Sequence, residues 1–248
     1  MELNGGILMP QLHVLFKKED VDPARLEGKV VIVLDVLFAT STIVHAFAQG
    51  ATALWPARDA TEARRIASGL DAPLLAGEYL ADRLPGFAPP TPLALAGQGL
   101  RGATLVYATT NGTVALAKVA AAAHVYVGAL SNGAALVAWI ARLHPQAQVL
   151  IVCAGSLDRF NLEDFYGAGH LVAHFERIGT YALSDAALAA QLLYRGCDAQ
   201  TALDASRVGQ RMIAHRLQHE VDCAAQLDTT DVVPELRDCC VRLAVPKP

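Results

Sequence analysis

Two five-residue runs carry no polar side chain at all, Val30-Val-Ile-Val-Leu34 and Val149-Leu-Ile-Val-Cys153, and they limit the folds open to this chain more than any other feature. A strand exposed on one face alternates apolar and polar residues, whereas one apolar at every position is covered on both faces. The runs are far too short to cross a bilayer, so they read as central strands of a sheet. Further strands are predicted at Leu12 to Phe16, Thr52 to Trp55, Pro73 to Ala76, Thr104 to Ala108 and Val125 to Gly128, with a short coda at Val232-Val233 and Val241 to Leu243. Helical patterns lie between them. Asp59-Ala-Thr-Glu62 opens one, reaching Gly69, in the manner of a capping box, and Ser131-Asn132 caps another that stops at Leu143 before Pro145. From Leu162 the chain turns mainly helical, through Ala173, Ala187 and Ile213. The alternation predicts an α/β fold with a mostly parallel or mixed sheet and helices on both faces. Residues 1–248 read as a single α/β domain, with a more helical lobe from about residue 160. Glu78 to Gln98, rich in Pro and Gly, is the longest stretch without a regular pattern, and a loop of that length is expected to be functional.

Composition narrows the partners. Hydrophobic residues make up 53% of the 248 and charged residues 18%, which excludes a disordered chain. The net charge of −4 provides no global field for nucleic acid or an anionic membrane, so neither is expected as a partner. A small anionic substrate would have to be captured by local donors. MELNGGILMP lacks the basic start and apolar core of a signal peptide, and the five cysteines show no metal-ligand spacing. A reduced, cytoplasmic protein is expected. The sequence leaves a homodimer open.

In sheets of this kind ligands collect beyond the carboxyl ends of the strands. Three predicted strand ends carry unusual chemistry: Asp35 followed by Thr40-Ser41-Thr42, the run Thr109-Thr110-Asn111-Gly112-Thr113, and Ala154-Gly-Ser156 followed by Asn161-Leu-Glu163-Asp164. Hydroxyls and unpaired amides at helix N-termini can hold an anion without a basic patch, although Thr, Ser and Asn also serve as ordinary caps. Glycine at 112 would let the backbone approach a ligand. Asp35, Glu78 and Glu163-Asp164 supply carboxylates, which suit Mg²⁺ as hard oxygen ligands; for the last pair, complementarity with a helix dipole is the competing reading.

These residues resemble the 2-phosphosulfolactate phosphatase family. The resemblance rests on Val31-Ile-Val-Leu-Asp35-Val-Leu-Phe-Ala-Thr-Ser-Thr42, Ala76-Gly-Glu78, Thr109-Thr-Asn-Gly-Thr113, Cys153-Ala-Gly, Arg159-Phe-Asn-Leu-Glu-Asp164, Ala168-Gly169 and Val232-Val-Pro234, which in order and spacing span nearly the whole chain. It implies a three-layer α/β/α fold and a Mg²⁺-dependent phosphatase acting on a small sulfonated phosphoester in coenzyme M or sulfolactate biosynthesis. The chain departs from the family pattern at three places. Phe38 stands where an arginine is usual, Ala88-Pro-Pro-Thr-Pro92 replaces a Gly-Asn-Ser-Pro element, and Phe165 replaces a second aspartate. An arginine fork grips phosphate or sulfonate and phenylalanine does not, so Phe38 implies a changed substrate or a compensating Arg83 or Arg159.

Asp35, Glu163 and Asp164 are the catalytic candidates. Asp35, Glu78 and Asp164 are the metal candidates. Thr40, Ser41, Thr42, Thr109, Thr110, Asn111, Gly112, Thr113 and Arg159 are the substrate-binding candidates. Three rivals stand beside a metal-activated water. Cys153-Ala-Gly-Ser-Leu-Asp-Arg159 fits the Cys-x5-Arg of cysteine phosphatases, though no histidine precedes the cysteine. Asp35 as a phosphoryl acceptor would want a second acid two residues on, where Leu37 stands. A homologue that binds a small anion without turnover is the third. His170 and His174 sit i, i+4 without the glutamate of a zincin helix and read as a solvent-facing or partly buried pair, while His215 and His219 read as surface.

Overall fold

The computed structural model describes residues 9–179 and 181–245. The reading of a missing signal sequence falls on residues 1–8, outside the described residues. Eleven strands form one mixed sheet with helices on both faces, a three-layer α/β fold. The strands are β1 (Gln11–Leu15), β2 (Val30–Leu34), β3 (Ala53–Ala57), β4 (Leu74–Tyr79), β5 (Asp82–Arg83), β6 (Thr104–Ala108), β7 (His124–Gly128), β8 (Val149–Cys153), β9 (Ala182–Leu183), β10 (Pro234–Arg237) and β11 (Cys240–Leu243). Their order is β5-β4-β6-β3-β11-β10-β7-β2-β8-β1-β9. The two all-apolar runs, β2 and β8, lie side by side in register, Val30 against Val149 through Leu34 against Cys153, and every residue of both is buried.

Two parallel blocks, β4-β6-β3 and β7-β2-β8-β1-β9, are joined by the antiparallel hairpin β10-β11. Tracing the pairing senses across that hairpin, the blocks run in opposite directions. Sheet twist of about 20–25° per strand, accumulated over the five steps from β6 to β2, rotates one block against the other by roughly 100–125°. Nominally opposite carboxyl ends are thereby turned toward each other, and the C-terminal ends of β2 and β6 meet.

Helices α1 (Ala39–Ala48) and α4 (Gly112–Val119) fill the space enclosed by the two blocks, against Val31, Val33, Leu54, Leu105, Val125 and Val127. On the outer face of the larger block lie α5 (Gly133–Leu143), α6 (Leu162–Ile178) and α7 (Asp185–Gly196), and α2 (Ala60–Ala67) covers the smaller one. Asp59 caps α2 as expected, accepting from the Glu62 N–H at 2.8 Å, but the Glu62 carboxylate bonds the Arg58 N–H rather than that of Asp59. Three short helices, α8 (Ala199–Ala205), α9 (Arg207–Ala214) and α10 (Gln218–Ala224), form a separate apolar cluster with Val36, Leu37 and Leu130 beyond the carboxyl end of β2.

The stretch from Glu78 to Gln98 is more ordered than its composition predicts. It holds β5 and the short helix α3 (Pro92–Ala96), whose first amides are capped from far away in sequence. The buried Glu220 carboxylate accepts from the Thr91 hydroxyl at 2.6 Å and from the Leu93 and Ala94 N–H groups at 2.9 Å each. No helix among the described residues is long and apolar enough to cross a membrane.

Candidate active site

A cavity of about 150 Å³ opens where the ends of β2, β4, β6 and β8 face α9. Its strand-end wall includes Asp35, Glu78, Thr109, Thr110 and Asn111; its helical wall includes Arg207, Arg211, Met212 and His215. Helices α1, α4, α6 and α9 all begin near this space, so several positive dipole ends converge on it.

Asp35 ends β2 with its carboxylate buried, facing the Gly112 N–H. Burial pushes its pKa well above the usual range, and the Asp164 and Glu78 charges push the same way, while Lys18 opposes them. The reason for Gly112 is also visible here. A Cβ there would lie 2.5 Å from the Ala39 Cβ and 2.7 Å from Asp35 Oδ2, so glycine lets the first turns of α1 and α4 close around the carboxylate. That close approach is between protein segments; Gly112 itself is not part of the cavity lining.

Glu78 is held at both oxygens. Its Oε1 accepts from the Thr110 N–H at 2.6 Å, and its Oε2 accepts from the Ala81 N–H at 2.5 Å and the Thr110 hydroxyl at 3.1 Å. Asp164 is held likewise, by the Val36 N–H at 2.8 Å and the Gly155 N–H at 3.1 Å. Its neighbour Glu163 is 1% exposed, and neither carboxylate oxygen has a hydrogen-bond partner. Burial raises Glu163 to about 7. Burial, followed by the charge of Glu163, raises Asp164 to about 8 despite its two amides. Ser206 favours the ionised form of Glu163 from nearby, but its hydroxyl donates to the Leu203 carbonyl at 2.9 Å.

Most of the predicted hydroxyl donors are turned inward. Thr40 accepts from the Asp35 N–H at 2.9 Å, Ser41 donates to the Val36 carbonyl at 2.8 Å, and Thr42 donates to the Pro90 carbonyl at 2.8 Å; none of the three lines the cavity. Thr113 is fully buried and pairs with Thr109, whose N–H it accepts at 3.0 Å. Thr109, Thr110 and Asn111 do line the cavity. Arg159 is exposed and outside the lining, its backbone paired with Ser156 across the turn, and Arg83 bonds the Phe87 carbonyl.

The cations come from residues the sequence reading passed over. Lys18, 6% exposed, donates to Asn111 Oδ1 at 3.0 Å and to the Ala154 carbonyl at 3.3 Å. Arg207 bonds the Ser156 hydroxyl and Asn161 Oδ1, and Arg211 reaches the Leu80 carbonyl at 3.2 Å. No local pattern marks them, because these partners lie 46 to 136 residues away. Phe38 lines the cavity beside them.

The Cys-x5-Arg reading loses both members. Cys153 is fully buried in the core beneath α6, and burial, with the Asp164 and Glu163 charges, pushes its thiol well above the ordinary range. A nucleophilic cysteine needs the opposite. For a divalent ion, the carboxylates in the cavity lining are the buried Asp35 and Glu78 and the exposed Asp82. Asp35, Glu78 and Asp164 do not bring their oxygens together as one cluster within 4.8 Å. Mg²⁺, which keeps several waters, needs only one or two carboxylates, and the mutually repelling buried acids favour a cation, so these residues fit it.

Comparison with known proteins gives the family. The family model described as 2-phosphosulpholactate phosphatase matches residues 15–239. A Carboxydothermus hydrogenoformans protein is 35% identical over 226 residues, covering 91% of this chain and 92% of its own length. One from Symbiobacterium thermophilum is 35% identical, with 87% and 94% covered, and one from Deinococcus radiodurans 36%, with 88% and 91% covered. All three bear the name "Probable 2-phosphosulfolactate phosphatase". With the match running from the end of β1 to the turn between β10 and β11, and so across every strand end that lines the cavity, the chain belongs to the 2-phosphosulfolactate phosphatase family, a family of phosphoric monoester hydrolases.

Proposed function

We propose that this chain is a Mg²⁺-dependent phosphatase that hydrolyses 2-phosphosulfolactate to sulfolactate and phosphate. The observation that carries the reading is the opposition of charge across one small cavity, with the acids Asp35 and Glu78 on one wall and Arg207 and Arg211 on the other. An ester that carries a sulfonate, a carboxylate and a phosphate on one three-carbon skeleton needs that arrangement. Its sulfonate and carboxylate are held by guanidinium groups, and its phosphate lies toward the acids, where only a cation makes the contact favourable.

Asp35 and Glu78 would hold the ion, with Asp164 behind them bracing the Val36 and Gly155 amides. When bound, Mg²⁺ neutralises phosphoryl charge and lowers the pKa of a coordinated water. Asp35, in the cavity lining and raised above the usual carboxylate range by burial, is placed to take the proton of the attacking water. The bond between phosphorus and the ester oxygen of sulfolactate then breaks, and the released alkoxide takes up the proton that Asp35 removed from the water. Lys18 holds Asn111 in the cavity lining, and the positive dipole ends of α1 and α4 favour the developing negative charge. The buried Cys153 has no part in the reaction.

The test is phosphate release from 2-phosphosulfolactate by the purified chain, with Mg²⁺ and after chelation. Release that stops on chelation and resumes with Mg²⁺, unchanged in Cys153→Ser, is expected. Release that persists in chelator would overturn the metal requirement, and binding of the ester without any release would leave an anion-binding homologue.

A further inference from the structure

Farther along α6, a second cluster lies apart from the phosphatase cavity. His170 and His174 are one turn apart on the helix, and Asp228, in the segment leading toward β10, reaches both. Asp228 Oδ1 is 3.1 Å from His170 Nε2, and Asp228 Oδ2 is 3.1 Å from His174 Nε2. Among the described residues this is the one set of three whose ligand atoms all lie within 4.8 Å of each other. We propose that His170, His174 and Asp228 form a binding site for a divalent transition-metal ion, Zn²⁺ foremost, which fastens α6 to the segment before β10.

Three features favour an ion over a simple hydrogen-bonded trio. The first is distance. Two ligand atoms across a tetrahedral Zn²⁺, at bond lengths near 2.05 Å, stand about 3.4 Å apart. The observed contacts of 3.1 Å, one to each carboxylate oxygen, are within a few tenths of an ångström of that, and all three ligand atoms lie within 4.8 Å of one another. The second is the backbone around the cluster. Asp228 Oδ1 accepts from the Ala134 N–H at 2.7 Å, and the Asp228 N–H donates to the Leu130 carbonyl at 2.9 Å, so the carboxylate is held in place from outside the cluster. Gly133 leaves room for the ring, since a Cβ there would lie 2.4 Å from His170 Nε2. The third is burial. His170 is 1% exposed and its Nδ1 has no hydrogen-bond partner, so Nε2 carries all that compensates the ring for leaving water. A metal bond at Nε2 compensates more than one hydrogen bond does.

The donor set also fixes the kind of ion. Two imidazoles and one carboxylate suit Zn²⁺ and its neighbours and disfavour Mg²⁺, which wants oxygen. His174 and Asp228, whose side chains are 13% and 31% exposed, leave a fourth position open to water. Six residues separate His170 from Asp164, about 9 Å along the helix. The site is therefore separate from the cavity but shares the helix that carries its acids.

The experiment is calorimetric titration of the chelator-stripped full chain with Zn²⁺ alone, alongside Co²⁺ and its visible spectrum. One equivalent is expected that survives in Asp35→Asn. It should weaken by about 100-fold or more in His174→Ala and in Asp228→Asn, since even outer partners of metal ligands are worth 10–100-fold. The imidazole ¹⁵N resonances of wild type provide a readout independent of any variant, and two Nε2 signals should move on Zn²⁺ addition. Binding undiminished in both variants, Nε2 signals that stay in place, or wild-type affinity weaker than about 1 mM would each overturn the proposal.

Discussion

The two walls of the cavity are built on opposite principles. On the strand-end wall, polar groups satisfy one another: Glu78 is held by Thr110 and Ala81, and Thr109 by Thr113. On the helical wall, Arg207 and Arg211 come from one short helix and reach across to Ser156, Asn161 and the Leu80 carbonyl. The first wall is a fixed frame for charge and an ion. The second offers long cationic side chains that can move onto a substrate. Under the proposed reaction, rigid acids would govern turnover and adaptable cations binding. Substitutions in the two walls should therefore separate kcat from KM.

The largest effect is expected at Asp35. Asp35→Asn keeps the shape of the side chain and removes both the base and a charge facing the ion, so kcat for phosphate release should fall by about 10³-fold or more. Melting temperature should stay level or rise, because a buried acid pushed upward by Asp164 and Glu78 is relieved of repulsion. A variant within tenfold of wild type in kcat would remove Asp35 from the chemistry.

Next comes the other wall. Arg207→Ala should raise KM by about 10–100-fold, the range for losing a charge-assisted hydrogen bond worth roughly 1.5–3 kcal/mol, with a smaller change in kcat. Arg207→Lys should recover only part of this, since one guanidinium nitrogen, Nη2, bonds both Ser156 and Asn161 and leaves the rest of the fork for an anion, whereas an ammonium has no second nitrogen. If kcat falls and KM holds, the division between the walls fails.

The contrast between walls also explains what the sequence disclosed. Strands β2, β6 and β8 were legible because continuous apolar runs have one physical meaning, and β6 and β8 end where the runs end. Asp35 and Glu78 were legible because an acid at the end of a buried strand demands a reason. The destination of the hydroxyls was not legible. Thr40, Ser41, Thr42 and Thr113 have the composition of an anion cradle, yet their hydrogen bonds go to other groups of the protein. Lys18 and Arg207 were invisible for the converse reason, being ordinary cations in sequence that long-range contacts place at the site. Helix α3 escaped because its cap, Glu220, is 126 residues beyond Ala94.

A third test concerns the buried acids beneath the strand-end wall. Glu163 is raised to about 7 and Asp164 to about 8, both above their unfolded values. A raised carboxyl is protonated in the folded protein where the unfolded chain has already ionised. The stability it contributes is fully present below the unfolded pKa and disappears as pH rises through the folded one. The metal-free protein should therefore lose melting temperature steadily from about pH 5 to about pH 8. Glu163→Gln should flatten the profile, and Mg²⁺ should raise the high-pH end. A rising or flat profile in the stripped wild type would mean that these acids are compensated without a cation.

The smallest effect is expected at Phe38, and it tests where the two walls meet. Phe38 lies at the start of α1 and packs at the edge of the apolar cluster formed with α8 to α10, with part of its surface on the cavity. An arginine there would add a guanidinium to a cavity that already has Arg207 and Arg211, so new anion contacts are offset by repulsion among cations. The gain in kcat/KM on 2-phosphosulfolactate should be less than about tenfold, below 1.4 kcal/mol, and should come through KM. That modest gain would mean that the helical wall has taken over the role usually held by an arginine at position 38. A gain near 100-fold would instead show Arg207 and Arg211 to be poor substitutes, and Phe38 to mark a substrate with less charge. A folded variant with lower kcat/KM would assign Phe38 to packing, with the sulfonate held elsewhere in the cavity.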